Sequence, residues 1–163
     1  MKIFITGGTS GIGWALAEYY LNKGHQVGVC GRDLRKLPDV SASFIGKGLT
    51  CYEVDVTDRL ALMEAIEAFA QGKLDLLIAN AGISQGDKSS HPKFTTAREI
   101  LKTNLDGFLN TFEAGFNIMK KEGGQLVDEV VKELDEELAL IDLVPNVVDR
   151  AQTVGEARQF QLG

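Results

Sequence analysis

The sequence predicts an α/β fold: a doubly wound parallel sheet of four or five strands with helices on both faces, followed by a helical, acidic C-terminal extension. Three observations lead to this prediction. Strand-length apolar runs alternate with helical patterns along most of the chain, which favours parallel strands joined by helical crossovers. The strand runs are apolar throughout, as in strands that are covered on both faces. A glycine-rich turn joins the first strand to the first helix.

Four strands and four helices are predicted in alternating order. The strands are placed at Lys2–Thr6, 26–30, 50–56 and 74–79. The helices are placed at 14–22, 34–37, Arg59–Ala70 and from Thr96 to Lys121, the last with a bend at Gly107. Thr57 and Asp58 are predicted to cap the third helix. Thr96 and Glu99 have the spacing of a capping box, which predicts the start of the long helix.

The end of the chain has two competing patterns. Residues 125–127 are compatible with a fifth strand, yet Val127 also begins an apolar repeat of three- and four-residue spacing that reaches Ile141 and is typical of a helix face. Residues 145–160 are predicted to be helical as well. We expect a nucleotide-binding domain at 1–127 and a helical extension at 128–163 packed on the same domain.

Charge divides the chain in the same place. Nine acidic residues and one lysine lie between Glu122 and Asp149, a net charge of −8, which leaves the rest of the chain at about +2. The whole chain has a net charge of −6, which argues against nucleic acid as a partner because phosphate binding needs a basic face.

Composition favours one soluble globular domain, with 163 residues of which 44% are hydrophobic and 25% charged. The apolar run at the start is too short for a signal peptide or a membrane span. Cys30 and Cys51 lie in apolar runs, which favours free thiols in a reducing cytosol, so we expect a cytoplasmic protein that does not bind membranes. His25 has no partner at the spacing of metal ligands, and we expect no metal site.

The glycine-rich turn is the first candidate site. Gly7, Gly11 and Gly13 would let the backbone approach a pyrophosphate closely, at a helix N-terminus whose free N–H groups attract anions. Thr9 and Ser10 could add hydroxyl donors. An ordinary tight turn is the alternative interpretation. The position between a predicted strand and a predicted helix favours the nucleotide site.

Four motifs resemble those of the short-chain dehydrogenase/reductase family. The segment from Thr6 to Gly13 is similar to its TGxxxGIG motif, and Asp55-Val56, Asn80-Ala81-Gly82 and Asn104 follow in the family's order. The resemblance covers about residues 1–127, and the rest departs from the family, as in a truncated or recombined member. It implies a Rossmann-type domain that binds a nicotinamide dinucleotide.

Cofactor-binding residues follow from this resemblance and from the glycine turn. They are predicted to be Gly7, Thr9, Ser10, Gly11, Ile12, Gly13, Arg32, Asp55, Val56, Asn80, Ala81 and Gly82. The resemblance implies that Asp55 contacts the adenine ring and that Asn80 and its neighbours line the adenosine side. Asp55 could instead be a turn or capping residue beside Thr57, and Asn80 and Gly82 could be purely structural.

NADP is the expected cofactor, and NAD is less favoured. An acidic residue at the end of the second strand accepts hydrogen bonds from the ribose of NAD, whereas this chain has Gly31 followed by Arg32. A guanidinium can bind a 2′-phosphate through two parallel hydrogen bonds. The alternative is a solvated Arg32 that Asp33 neutralises.

The resemblance is incomplete at the catalytic residues of the family. It implies hydride transfer between NADP and a carbonyl or alcohol carbon, with a Tyr as acid/base, a Lys four residues after it, a Ser, and an Asn that anchors a water relay. Asn104 matches the Asn. The three tyrosines lie in the nucleotide-binding part, at Tyr19, Tyr20 and Tyr52, and no serine follows Ser90. We therefore expect the Tyr-x-x-x-Lys pair and the Ser to be missing, with little or no activity in this form.

Three functional hypotheses remain. The chain could be an NADP-binding relative of these oxidoreductases with little activity. It could be a non-catalytic NADP(H)-sensing or interaction module that uses its acidic end. It could also be a reductase with an unrecognised proton donor or one completed by another subunit. The helix from Thr96 to Lys121 is the candidate surface for a homo-oligomer.

Overall fold

The computed structural model describes residues 1–84, 94–128, 147–149 and 158–162. Within these ranges the strands are β1 (Lys2–Thr6), β2 (Gln26–Gly31), β3 (Leu49–Glu53), β4 (Leu76–Ala79), β5 (Gly124–Asp128), β6 (Val147–Asp149) and β7 (Arg158–Leu162). The α-helices are α1 (Gly11–Asn22), α2 (Arg59–Ala70), α3 (Phe94–Leu101) and α4 (Gly107–Glu122). Short 3₁₀-helices lie at Leu34–Lys36 and Asp39–Ser43, and a π-helical segment lies at Lys102–Asp106.

All the described strands form one sheet in the order β3-β2-β1-β4-β5-β7-β6. The first five are parallel, which confirms the predicted parallel sheet and its fifth strand. The chain goes from β1 outward to β2 and β3, then returns to the other side of β1 for β4. The order of strands therefore reverses beside β1, and a crevice opens there at the carboxyl ends of the strands.

The two faces of the sheet carry separate apolar clusters, as expected when side chains alternate along a strand. Phe4 packs with residues of α2 and α4 on one face, including Ile66 and Met119. Ile3 and Ile5 pack on the other face with α1, including Trp14. The doubly wound arrangement is thus confirmed for the described residues.

Local signals account for several helix ends. The side chain of Asp58 accepts a hydrogen bond from the N–H of Ala61, so Asp58 caps α2 as predicted. The first helix begins at Gly11, three residues before the predicted start, because the glycine turn leads directly into it.

The predicted capping box is wrong. The described helix begins at Phe94, so Thr96 lies inside its first turn. The predicted bend at Gly107 also differs, because a π-helical segment ends just before it. A Cβ at Gly107 would collide with the side chain of Val56, so the glycine there allows close packing.

The C-terminal prediction is wrong in part. Val127 belongs to β5, and the segments Val147–Asp149 and Arg158–Leu162 are strands rather than helix. Polar and apolar residues alternate from Gln159 to Leu162, a period-two pattern that indicates a strand and that a weak three- and four-residue spacing obscured. β7 pairs antiparallel with β5. The remaining predicted acidic helix lies outside the described residues.

The described residues include both cysteines and four α-helices. Cys30 and Cys51 are both free thiols, as predicted, on neighbouring strands. Among the described helices, none combines the length and the apolarity that crossing a membrane requires.

Candidate functional site

A cleft of about 390 Å³ lies at the carboxyl ends of β1 to β4. All the predicted cofactor-binding residues except Gly11 line it. Residues that the sequence did not indicate as ligand contacts also line it: Gly31, Asp33, Lys36, Val54, Ile83 and Thr103. The fold therefore brings together five chain segments that are far apart in sequence, in the crevice where strand order reverses.

The glycine turn between β1 and α1 has no space for side chains at two of its positions. Gly7 has a φ of +67°, and a Cβ there would lie 2.8 Å from the Cα of Ala81. A Cβ on Gly13 would overlap the amide nitrogen of Asn80 and the carbonyl oxygen of Gly7. The start of α1 can thus approach the end of β4 only because both residues lack side chains.

The N-terminus of α1 faces the same cleft. Ser10 is its N-cap but makes no side-chain capping bond, and the first N–H groups of a helix lack partners within the helix. Ser10 is exposed, whereas Thr9 is buried. Ile12, which lines the cleft, is 65% exposed. These N–H groups and the helix dipole suit a phosphate or pyrophosphate.

A hydrogen-bond network joins the end of β1 to the end of β4. The hydroxyl oxygen of Thr6 accepts from the N–H groups of Asn80 and Ala81, each at 3.2 Å. The side-chain NH₂ of Asn80 donates to the carbonyl oxygens of Thr6, at 3.0 Å, and Gly7, at 3.2 Å. Asn80 therefore has the structural role that was one of its two interpretations, and it fixes the width of the crevice.

Asp55 shapes a turn after β3. Its Oδ1 accepts from the N–H of Thr57 at 2.9 Å, and its carbonyl oxygen accepts from the N–H of Asp58. These bonds match the interpretation of Asp55 as a turn residue. They use one carboxylate oxygen of a residue that also lines the cleft. Val56, also in the lining, is buried against Gly107.

Charges gather where β2 ends. Arg32, Asp33 and Lys36 all line the cleft. Asp33 accepts three hydrogen bonds from Arg35: from its N–H at 3.0 Å, from Nε at 2.8 Å and from Nη2 at 3.1 Å. These bonds hold the pKa of Asp33 below its ordinary value. The interpretation in which Asp33 neutralises Arg32 is wrong, and within the described ranges neither Arg32 nor Lys36 has an ion-pair partner.

Asn104 lies in the π-helical segment and binds the loop after β4. Its Oδ1 accepts from the N–H of Ile83 at 2.8 Å, and its Nδ2 donates to the carbonyl oxygen of Ile83 at 3.1 Å. Both the oxygen and the nitrogen of the Asn104 amide are thus hydrogen-bonded to the backbone of Ile83. The preceding residue, Thr103, reaches the cleft.

One tyrosine–lysine pair contradicts the expectation that the chain has no Tyr-x-x-x-Lys spacing. The spacing Tyr-x-x-x-Lys does occur, at Tyr19 and Lys23, near the end of α1. Lys23 Nζ donates to the Tyr19 hydroxyl at 2.5 Å and lies 4.2 Å from the centre of its ring. Tyr19 is six residues after Gly13, the last residue of α1 that lines the cleft, and hence about 9 Å along the helix from it. Neither residue lines the cleft.

Metal-ligating side chains do not cluster in the part of the chain that the structure describes: no group of three or more His, Cys, Asp and Glu residues is placed to hold an ion. The described residues of the cleft offer backbone N–H groups, the two cations Arg32 and Lys36, and two carboxylates, of which Asp33 is paired with Arg35 and Asp55 is engaged through one oxygen. The cations and the N–H groups suit an anionic ligand.

A parallel sheet whose crevice is bounded by a glycine turn defines a Rossmann-type α/β domain. More specifically, the chain belongs to the short-chain dehydrogenase family, whose sequence model, described as short chain dehydrogenase, matches residues 1–144. This match extends beyond residue 127, where the resemblance of the motifs ends.

Individual relatives agree with this assignment. The 3-dehydrosphinganine reductase TSC10B of Arabidopsis thaliana is 32% identical over 126 residues, covering 76% of this chain and 38% of that protein. The solved structure "ElxO with NADP Bound" is 30% identical with a TM-score of 0.65, covering 74% of this chain and 50% of that one. A short-chain dehydrogenase/reductase from Mycobacterium marinum is 26% identical with a TM-score of 0.68, covering 76% and 52%. The chain spans about half the length of these relatives or less.

Proposed function

We propose that this chain binds a nicotinamide dinucleotide in the cleft and prefers NADP(H) to NAD(H). The observation that carries the preference is the pair of cations at the end of β2. Arg32 and Lys36 line the cleft, while Arg35 engages the acid between them. A 2′-phosphate is the group of NADP that two free cations would favour. The relative whose structure is described with bound NADP supports the same cofactor.

The rest of the dinucleotide would follow the cleft. The glycine turn and the N-terminus of α1, from Gly7 to Gly13, suit the pyrophosphate. Asp55 and Val56 would meet the adenine, and Asn80 to Gly82 would line the adenosine side. Several of these residues hold each other through hydrogen bonds, so the cleft needs little rearrangement to accept a ligand.

Hydride transfer between NADP and a carbonyl or alcohol carbon is the reaction class that we propose for the family site. Bound NADPH would supply the hydride, and a protein group must then supply a proton. Asn104 is the one residue of the implied catalytic set found at its position, and its amide is engaged by Ile83. Tyr19 and Lys23 lie away from the cleft. We therefore propose little or no activity for the chain in this form.

A screen of ketones and aldehydes with NADPH tests this last point. We expect oxidation of NADPH at the rate of the uncatalysed background. Turnover well above that background, lost in an Asn104→Ala variant, would show that the cleft has a proton donor after all, as would be the case for an active reductase completed by another subunit.

The cofactor preference is tested by titrating NADPH and NADH separately and following their fluorescence. Charge reversal in Arg32→Glu should weaken NADPH about 10- to 100-fold, since a charged hydrogen bond contributes about 1.5–3 kcal/mol, and should change NADH little. Arg98→Glu is the matched control, because Arg98 is exposed on α3 and does not line the cleft. An equal loss for both cofactors would refute the assignment of Arg32.

A second candidate function is non-catalytic sensing of NADP(H), with the acidic residues between Glu122 and Asp149 as the signalling surface. The net charge of −8 in that segment favours it. Limited proteolysis distinguishes the two functions: a sensor should show an NADPH-dependent change of cleavage within this segment, and a plain cofactor-binding protein should not. A cytoplasmic location remains a proposal that the free thiols Cys30 and Cys51 support.

Self-association is also proposed, through the long helix. Large apolar side chains are exposed along α3, the π-helical segment and α4, at Phe94, Leu101, Leu105, Leu109 and Phe116. Exposed large apolar side chains grouped along one helical stretch make it a candidate protein contact. Sedimentation should show a dimer that Leu109→Glu dissociates. Leu60→Glu, which alters an exposed leucine of α2, should leave it intact, and a monomeric unaltered chain would contradict the proposal.

A further inference from the structure

An ion pair stands beside the two cations at the end of β2. The carboxylate of Asp33 is held by the guanidinium of Arg35 through both of its oxygens, Oδ1 to Nε at 2.8 Å and Oδ2 to Nη2 at 3.1 Å. The N–H of Arg35 also donates to Oδ1, because Asp33 is the N-cap of the 3₁₀-helix Leu34–Lys36. One residue thus supplies every hydrogen bond that the structure gives to this carboxylate.

The two partners have different positions relative to the cleft. Asp33 lines the cleft between Arg32 and Lys36, and its side chain is 27% exposed. Arg35 does not line the cleft, and its side chain is 91% exposed, so it reaches Asp33 from the solvent side. Arg35 can therefore affect a ligand in the cleft through Asp33 without touching that ligand.

A free carboxylate at Asp33 would oppose the binding of a phosphate in two ways. It could pair with Arg32 or Lys36 and so occupy the cations, and it would repel a phosphate placed beside it. It could also accept the ribose hydroxyls of NAD, as an acid at the end of this strand does in NAD-binding domains. A guanidinium on both oxygens weakens each of these effects, because it offsets part of the charge and occupies the acceptors.

We propose that Arg35 is a positioning residue for cofactor choice: by holding both carboxylate oxygens of Asp33, it leaves Arg32 and Lys36 to a 2′-phosphate and so favours NADP(H) over NAD(H). The inference rests on the proposed function of the cleft. It assigns to Arg35, which lies outside the cleft, an effect on cofactor specificity that acts through Asp33 inside the cleft.

The test is a cycle of three variants, Arg35→Gln, Asp33→Asn and the double variant, each titrated with NADPH and with NADH. Arg35→Gln frees the carboxylate and should raise the Kd for NADPH about three- to fivefold, the effect of one exposed ion pair. Asp33→Asn should bind NADPH at least as tightly as the unaltered chain, because it removes a negative charge beside the proposed phosphate position and asparagine also accepts at an N-cap. The double variant should recover the unaltered Kd, since no carboxylate remains to be held. NADH should bind Arg35→Gln at least as well as it binds the unaltered chain.

Arg59→Gln is the matched control, since Arg59 makes a similar two-point pair with Glu113 between α2 and α4, away from the cleft. It removes the same charge and should leave both Kd values unchanged. A double variant as weak as Arg35→Gln would mean that Arg35 binds the phosphate directly, and would overturn the inference. Unchanged NADPH binding in Arg35→Gln, or an equal loss of NADH binding, would overturn it too. If the unaltered chain shows no preference for NADPH, the proposed function itself fails.

Discussion

At the residue scale, close contacts and hydrogen bonds between individual atoms determine the shape of the crevice. Gly7 and Gly13 have no room for a Cβ against the end of β4, and Asn80 gives both hydrogens of its amide to carbonyl oxygens of the glycine turn and the strand before it. The hydroxyl of Thr6 completes the set by accepting from two N–H groups of the opposite strand end. The crevice is therefore a packed and hydrogen-bonded joint as well as a candidate ligand site.

Replacing Gly13 by Ala should destabilise the fold as well as weaken cofactor binding. The added Cβ would overlap Asn80 and the carbonyl oxygen of Gly7, and overpacking of this kind costs about 1–3 kcal/mol. Urea unfolding measures the change in the free energy of unfolding. Ala15→Ser adds one heavy atom to an exposed position of the same helix and should change it by less than about 0.5 kcal/mol. Equal stability of Gly13→Ala and the unaltered chain would show that the joint is loose.

The two thiols should resist alkylation in the folded protein. Burial raises the pKa of Cys30 to about 12, and burial raises that of Cys51 as well. The thiolate is the reactive form, so at pH 8 both groups are protonated and slow to react. Labelling with iodoacetamide, followed by mass spectrometry, should modify Cys30 only after denaturation and Cys51 faster than Cys30 in the native state. Rapid native labelling of Cys30 would contradict its burial.

At this scale the sequence predicted the glycines and missed their partners. Gly7 and Gly13 stand out because a strand, a glycine turn and a helix occur in a fixed order. The acceptor role of Thr6 and the engagement of Asp33 by Arg35 depend on side-chain directions that a linear pattern does not contain. Lys36 was missed for the same reason, since only the 3₁₀ turn after β2 brings it to the cleft.

The long helix illustrates the element scale. It is interrupted by the π-helical segment Lys102–Asp106, and that segment carries Asn104, whose amide binds both backbone groups of Ile83. π-helical turns inside α-helices are common at functional sites. Here the segment ties the helix to the loop after β4, one side of the candidate cofactor cleft.

Asn104→Ala should loosen this loop. The change removes two hydrogen bonds and leaves both backbone groups of Ile83 without their partner, which costs about 1–3 kcal/mol when such groups are buried. Hydrogen exchange measured by mass spectrometry should be faster at Ile83. Asn117→Ala serves as the control, because the amide of Asn117 lies on the surface beside Lys120. Unchanged exchange at Ile83 would show that other contacts hold the loop.

Elements were predicted better than their ends and irregularities. β1 and α2 have the predicted bounds, since an apolar run and a capping Asp58 mark them. The π-helical segment has no pattern of its own, because its residues are ordinary helix formers. β5 could not be separated from a helix by spacing alone, and its assignment depends on pairing with β4, a contact between distant parts of the chain.

At the scale of the whole molecule, the sheet joins the cofactor half to the end of the chain. β7 pairs antiparallel with β5, opposite Gly124–Asp128, and β6 then forms the outer edge. The described residues that line the cleft all precede residue 104. The pairing that covers β5 and the described residues that line the crevice thus lie in different parts of the chain.

Removal of residues 129–163 should separate these two properties. The shortened chain loses the β5–β7 pairing and exposes β5 as an edge strand, so it should unfold at a lower temperature and aggregate more readily. Its NADPH affinity should stay within about twofold of the full chain, because none of the described lining residues is removed. Thermal unfolding and fluorescence titration measure the two effects. A folded but non-binding product would show that the removed part contributes to the cleft.

The distribution of the cleft lining along the chain has a consequence for protein levels. Its residues come from five stretches that meet only in the native fold, at 7–13, 31–36, 54–56, 80–83 and Thr103. A dinucleotide bound there would be lost on unfolding, so by mass action a cofactor concentration 100 times its Kd adds about 2.7 kcal/mol to the stability of the native state. Such an increment reduces the unfolded fraction about a hundredfold. The lifetime of this chain in a cell with proteases would then follow the size of the pyridine nucleotide pool.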